Sequence, residues 1–419
     1  KRLRYLTQTT RGTEERGCKR KLKPQEQTYS KSRRLKNQIK AVVTNPYNII
    51  VLIAVVLLVY LIVLPLLDMI ATTFELAQRD IRAVGGGKAG DFTLYYWQRL
   101  LASELSWTML IKPLINSLVI GVCVSVCAIL LGSILAWLMV RSDLPFKKFF
   151  SLAVIIPYMI PSWTKALAWL AMFRNSTSGA NGFLAGLGIP VPDWLAYGPI
   201  AIVLCMSMHY YAFSYIMVSG ALRSINSELE EMGEIQGASK AQILRHITLP
   251  LILPSVLSAT VMTISKSIGT YGVPANLGNR IGYYTLATKM RTFIDQGPQA
   301  VGYAMSIVLV LLAALIIFSN QRIVGVRKSY ATVSGKGGRA TLMQLGKAKK
   351  PLMVFLMVFL FLAMVVPFFV LIMETFQITT GAGYGLDNLT LYNWIGKEGE
   401  IDKYTNYVGI FRNPNFFSA

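Results

Sequence analysis

The stretch from Leu114 to Val140 contains no charged residue, and a run of that length has few ways to fold in water. An apolar run of about 20 residues is long enough to cross the hydrocarbon core of a bilayer as one helix. The pattern recurs. Ile49–Leu67 is uncharged, Phe149–Phe173 carries only Lys165, and Trp194–Leu222 has His209 as its one ionisable group. Further runs occupy Leu251–Tyr271, which contains Lys266, then Ala300–Phe318 and Pro351–Met373. Seven crossings are predicted. With 53% hydrophobic and 15% charged residues the chain lies outside the soluble range, and the fold class expected is all-α: a polytopic transmembrane helical bundle. The first 40 residues are polar and basic, unlike a cleavable signal peptide.

A net charge of +22 raises the possibility of a nucleic-acid partner, but its placement argues against one. Residues 1–40 hold fourteen Lys/Arg against three Glu, and residues 320–350 hold eight against no acid. Basic flanks of this kind mark the cytoplasmic side of a membrane protein. With the N-terminus inside, the segments 71–113, 174–197 and 272–299 face outward, while 141–148, 223–250 and 320–350 face the cytosol. The four cysteines form no disulfide framework and no metal-ligand spacing; Cys123 and Cys127, one helical turn apart, read as small apolar packers.

A second pattern appears at an offset near 300 residues. LPLLDMIATTF (Leu64–Phe74) is echoed by VPFFVLIMETF (Val366–Phe376), so that Pro65, Thr73 and Phe74 match Pro367, Thr375 and Phe376. FTLYYW (Phe92–Trp97) returns as LTLYNW (Leu389–Trp394), and KPLINSL (Lys112–Leu118) more weakly as NPNFFSA (Asn413–Ala419). The expected organisation is a basic tail at 1–48, a unit of six spans at 49–320, a basic linker at 321–350, and the first helix and outer loop of a second, truncated copy at 351–419. On this reading the sequence is a fragment, and about five more spans follow Ala419.

Between the fourth and fifth runs lies a polar interruption, ELEEMGEIQGASKAQILRHITLP (Glu228–Pro250). Ser227–Glu230 and Ser239–Gln242 each have the spacing of a helix capping box, and Gly237 stands where a left-handed residue ends a helix. Two short helices with a corner at Gly237-Ala238 are predicted. Leu229, Met232 and Ile235 form one apolar stripe; Ile243, Leu244 and Ile247 form another. Pro250 is expected to close the pair. Such a hairpin either lies on the membrane surface or packs on its own protein, or it offers its stripe to the groove of a cytosolic partner.

The residues of this interruption carry a resemblance. Glu231-Met232-Gly233, three residues, Gly237, nine residues, then Ile247-x-Leu249-Pro250 resembles the EAA motif of ABC importer permeases, E-A-A-x3-G-x9-I-x-L-P. Met232 and Gly233 replace the two Ala, and Gly233 weakens the helix by about 1 kcal/mol relative to Ala. IPYMIPSWTKALAWL (Ile156–Leu170) and SIGTYGVPANLG (Ser267–Gly278) are similar to the ferric-iron-type subgroup, whose permeases are often fused pairs. The resemblance implies a type I ABC importer permease-like bundle in a bacterial inner membrane, multi-pass, with a cytoplasmic N-terminus. It implies a cytosolic ABC ATPase dimer and an extracytoplasmic substrate-binding protein as partners, with no nucleic acid and no metal or cofactor held by this chain. The docking hairpin is then Glu230, Glu231, Met232, Gly233, Gly237, Ala238, Ser239, Ile247, Leu249 and Pro250. No G-x-x-x-x-G-K-[ST] occurs, so ATP acts in a separate subunit and the chain itself is a transport subunit without catalytic residues.

An ammonium inside a span costs about 2.5–3.5 kcal/mol at the helix centre, which makes intramembrane charges functional candidates. Lys165, Lys266, Gly269, Tyr271 and Pro274 are the candidate pathway residues; Gly269, Gly272 and Pro274 are expected to break or bend the end of the fifth run. Both lysines also fit snorkelling or pairing within the bundle, and His209 reads as a hydrogen-bonded core residue. The expected cargo is ferric iron, with phosphonate, sulfate, thiamine and polyamine open. The competing function is an ion-coupled secondary transporter, which needs no ATPase; a membrane-anchored nucleic-acid binder using residues 1–40 is the weaker rival.

Overall fold

The computed structural model describes residues 46–179, 181–225, 227–325, 342–379 and 385–395. The basic tail over 1–45, most of the basic linker and the Asn413–Ala419 echo lie outside the described residues. The chain divides into two compact units, 1–67 and 68–419. The first contains the bulk of helix α1 (Pro46–Thr72), a continuous apolar helix interrupted by one wide π turn at Val59–Val63.

In the second unit the long elements are α3 (Trp107–Arg141), α6 (Gly198–Ser224), α8 (Lys240–Ile268), α11 (Gln299–Gly325) and α12 (Gly346–Glu374). The shorter ones are α2 (Tyr95–Leu101), α4 (Lys147–Met159), α5 (Ser162–Phe173), α7 (Ser227–Ile235), α9 (Gly272–Gly278) and α10 (Leu286–Gln296). Among the described residues, six helices are long and apolar enough to cross a membrane, and α4 with α5 forms a seventh candidate bent by 92°. The third predicted run is therefore not one straight helix. Ile160 is extended (ψ 131°) because it precedes Pro161, and Pro161 in turn (ψ 141°) starts α5.

The core is built on α6, which packs along α3 and is crossed by α8. Small side chains set the spacing. A Cβ on Gly132 of α3 would stand 2.6 Å from the Tyr211 carbonyl oxygen of α6, so the two backbones touch there as membrane helices do at small residues. Helix α12 belongs to the same core. Leu356 and Leu360 are buried with Leu135, Tyr211 and Tyr215, and Glu374 at its end pairs with Arg174 at 3.5 Å.

The repeat seen in the sequence recurs in the structure. The wide turn Val59–Val63 has a counterpart at Phe361–Val365. After α1, the Trp97 indole donates to Thr73 Oγ1 (3.2 Å) and stacks on Phe74; after α12, the Trp394 indole donates to Thr375 Oγ1 (2.9 Å) and stacks on Phe376. A single antiparallel bridge closes each corner, Glu75 with Phe92 and Gln377 with Leu389.

Candidate functional site

The polar interruption folds as a corner. Helix α7 runs Ser227–Ile235, Gly237 adopts φ +82°, and Ser239 caps α8 with a reciprocal pair of bonds to Gln242. The left-handed turn is available to glycine at no steric cost. Nothing lies within 4 Å of where a Gly237 Cβ would be, so its backbone angle alone demands glycine. One expectation needs correction: Pro250 does not close a separate second helix. Residues Lys240–Ile268 are a single element, in which a wide turn at Leu244–Thr248 precedes Leu249-Pro250. Proline has no N–H for the preceding turn, and a π turn is one way for a helix to continue past such a gap. The hairpin's second arm is thus the start of a membrane-length helix.

What fixes α7 on the bundle was not legible in the motif. Arg141, 4% exposed at the end of α3, places Nη1 3.1 Å from Glu230 Oε2 and donates through Nη2 to the Leu222 carbonyl at 3.2 Å. Thr248 donates to Glu230 Oε1 at 2.8 Å. Glu230 therefore ties together α3, α7 and α8, while Glu231 next to it is exposed. Gly233 is buried, and a Cβ there would meet the Ile243 and Ile247 side chains at 3.2 Å. The two predicted stripes differ in burial. Ile243 turns inward, whereas Leu229, Met232 and Ile235 remain 43%, 58% and 85% exposed. Ala238 is half-buried beside the corner, Ile247 is likewise half-buried, and Leu249 and Pro250 are exposed.

Residues 342–349, which lead into the first turn of α12, are stitched beside this corner. Met343 N–H donates to the Arg141 carbonyl (2.8 Å) and Asp143 N–H to the Met343 carbonyl (3.0 Å). The Asp143 carboxylate accepts from the Leu345 N–H (2.9 Å) and from the Lys349 ammonium (2.9 Å), and these two contacts hold its pKa below the ordinary value. Neither Arg141 nor Asp143 carries a sequence signal beyond its place at the end of an apolar run.

The second group of predicted residues gathers at the bend between α4 and α5. Lys165 Nζ donates to the Met208 carbonyl (3.2 Å) and lies 3.2 Å from His209 Nδ1. His209 stacks on Tyr158, with ring centres 5.0 Å apart, and Lys266 Nζ donates to the Tyr158 hydroxyl at 3.4 Å while lying over the Phe213 ring. The two lysines are thus brought into one cluster through Tyr158 and His209, near the middle of α6. Tyr158 and Phe213 were missed by sequence reasoning, since aromatic residues in spans are ordinary. Helix α8 ends at Ile268 and α9 begins at Gly272. Gly269 stands at the α8 end, Tyr271 is 45% exposed and Pro274 is buried. Gly272 marks a close approach, because a Cβ there would sit 2.6 Å from Trp163 Cβ. Irregular backbone of this kind is tolerated at membrane depth where protein buries it or a cavity lies beside it.

The described residues thus form a bundle of membrane-length helices with an exposed polar corner and a broken pair of helices. The bundle resembles a bacterial alginate ABC transporter solved with its oligosaccharide-bound periplasmic protein: TM-score 0.51, 18% identity, 69% of this chain and 96% of that one. The model of the binding-protein-dependent transport system inner membrane component family matches residues 128–329. The putative 2-aminoethylphosphonate transport system permease PhnV of Salmonella typhimurium is 30% identical over 210 residues, 50% of this chain and 73% of the relative. The sulfate transport system permease CysT of the same species is 26% identical over 191 residues, 45% of this chain and 67% of the relative. The chain belongs to the binding-protein-dependent transport system inner membrane component family, the permeases of ABC importers.

Proposed function

We propose that the chain carries, across a bacterial inner membrane, a solute delivered by an extracytoplasmic binding protein, and that the α7–α8 corner receives a cytosolic ATPase dimer. The observation that supports this reading is the corner itself. Its polar outer edge and exposed Leu229–Met232–Ile235 stripe project from a base that Arg141 and Glu230 lock to α3 and α8. An ATPase pressing on α7 therefore moves α8 directly, because the corner and α8 are joined without a break. Closure of the ATPase would swing the ends of α8 and α9 around the path and expose it alternately to the two sides. ATP chemistry resides in the partner.

Residues 49–320 form one permease unit on this proposal, and residues from 351 onward begin a second copy; the repeated Trp–Thr–Phe corner supports it. The N-terminus and residues 141–148 face the cytosol, and residues 174–197 face outward. The cargo falls in the range set by the relatives, 2-aminoethylphosphonate and sulfate, together with the ferric iron suggested by resemblance. The test is co-purification with the ATPase subunit and uptake in the same cells. Glu231→Lys and Gly237→Val are expected to insert normally, lose the ATPase and abolish uptake. Retention of both at the parental rate refutes the docking role, and uptake without any ATPase would restore the secondary-transporter reading.

A further inference from the structure

We propose that the cluster of Lys165 and Lys266 is an anion-attracting station, so that the cargo crosses as an anion or inside an anionic complex. The inference rests on the transport reading above and narrows its substrate class. Two lysine ammonium groups contact the stacked pair of His209 and Tyr158, Lys165 on the imidazole and Lys266 on the phenol, near the middle of a membrane-length helix. Among the described residues neither lysine belongs to an ion pair. Their partners are a carbonyl oxygen, an imidazole nitrogen, a phenol oxygen and an aromatic face, all neutral or electron-rich without a formal charge. As a donor, the Lys165 ammonium requires His209 Nδ1 to accept, which leaves the imidazole uncharged. The cluster accordingly carries positive charge that its neighbours orient but do not neutralise.

Charge left uncompensated at this depth is costly, and structural pairing would have placed a carboxylate beside it. Lys266 is also exposed at the bend, where the irregular backbone between α8 and α9 opens beside it. Electrostatic focusing in a low-dielectric cleft raises the local concentration of ions of the opposite sign. A bare ferric ion meets the wrong sign here, and no group of three or more His, Cys, Asp or Glu able to hold a metal exists among the described residues. An oxyanion or an anionic chelate meets the right one.

The field can be read without identifying the cargo. In the full chain, in membrane vesicles and with Cys18, Cys123, Cys127 and Cys205 replaced by Ser, a single thiol is placed by Met159→Cys. That position is 79% exposed and adjacent to Tyr158. Its reaction with an anionic thiosulfonate (sulfonatoethyl) and a cationic one (trimethylammonioethyl) is compared after correction for their rates with a free thiol. The anionic reagent is expected to react faster by on the order of tenfold. The preference should vanish in the Lys165→Met/Lys266→Met variant and persist in Lys165→Arg/Lys266→Arg. Potassium sulfate added to the parental protein should slow the anionic reagent more than choline chloride of equal ionic strength. Equal rates for the two reagents, a preference that survives both Met substitutions, or no specific slowing by sulfate each overturn the proposal. ATPase co-purification from the same vesicles reports on the corner and not on the lysines. A lost partner with an intact preference therefore refutes the transport reading alone, and the reverse refutes the anion station alone.

Discussion

Glu230 and Glu231 are adjacent in the chain and differ in what they touch. The Glu230 carboxylate faces a buried guanidinium and the Thr248 hydroxyl, whereas Glu231 lies on the exposed side of α7. Glu230→Ala leaves Arg141 buried without its partner, and breaking a buried pair in this way costs about 3–5 kcal/mol. The expected outcome is a marked loss of thermal stability in detergent, measured as Tm, together with loss of the ATPase. Glu231→Lys, at an exposed position, should lower Tm less than Glu230→Ala and still lose the ATPase. Equal Tm values for the two variants would show that Glu230 braces nothing. Asp143 gives a pH test with a defined sign. Its pKa is lowered in the folded chain by the Leu345 N–H and then by the Lys349 ammonium. The stability it contributes is therefore complete above the ordinary carboxylate pKa and lost as pH falls through the lower folded value. Hydrogen exchange at the Leu345 amide should stay slow from neutral pH down to about 5 and quicken, relative to its intrinsic rate, only under stronger acid. In Asp143→Asn that acid-dependent step should be absent.

At the scale of elements, two breaks in helices are packed against each other. The α4–α5 bend and the α8–α9 break meet where Trp163 packs on Gly272. Adding a methyl group at Gly272 forces the two segments apart at a contact that has no flexible atom to yield, at a cost of about 1–3 kcal/mol. Gly272→Ala is therefore expected to lower Tm and slow uptake while ATPase co-purification persists. Parental uptake would mean that this contact does not set the path. Gly237 behaves differently, because space is open around it. A Val there carries the left-handed backbone penalty of about 1–2 kcal/mol and re-aims α7 without disturbing the core.

For the whole molecule, the proposed orientation rests on the placement of the basic residues and is open to direct measurement. Engineered cysteines at Leu187 and Ile189, both exposed, should react with an impermeant thiol reagent added to intact cells. A cysteine at Phe146, also exposed, should react only after lysis. The reverse pattern would turn the corner away from the cytosol and remove its partner. The core itself is shared between α3, α6 and α12, so deletion of 351–419 should destabilise the remaining chain by exposing the face that Leu356 and Leu360 cover.

The sequence by itself determined the number and sites of the apolar runs, because burial in a bilayer depends on local composition over one helix length. It also determined the corner at Gly237, the Ser239 cap and the recurring Trp–Thr–Phe corners, since capping, left-handed backbone and these short echoes are written in nearby residues. It placed both lysines in membrane runs. Only the tertiary structure decided that Lys165 and Lys266 share a cluster with Tyr158 and His209, that Glu230 braces α7 against α3 and α8, and that Pro250 continues a helix rather than ending one. Each of these depends on which faces of distant helices meet. That choice is made by packing at positions such as Gly132 and Gly233, where the absence of a side chain leaves no periodic signal to read.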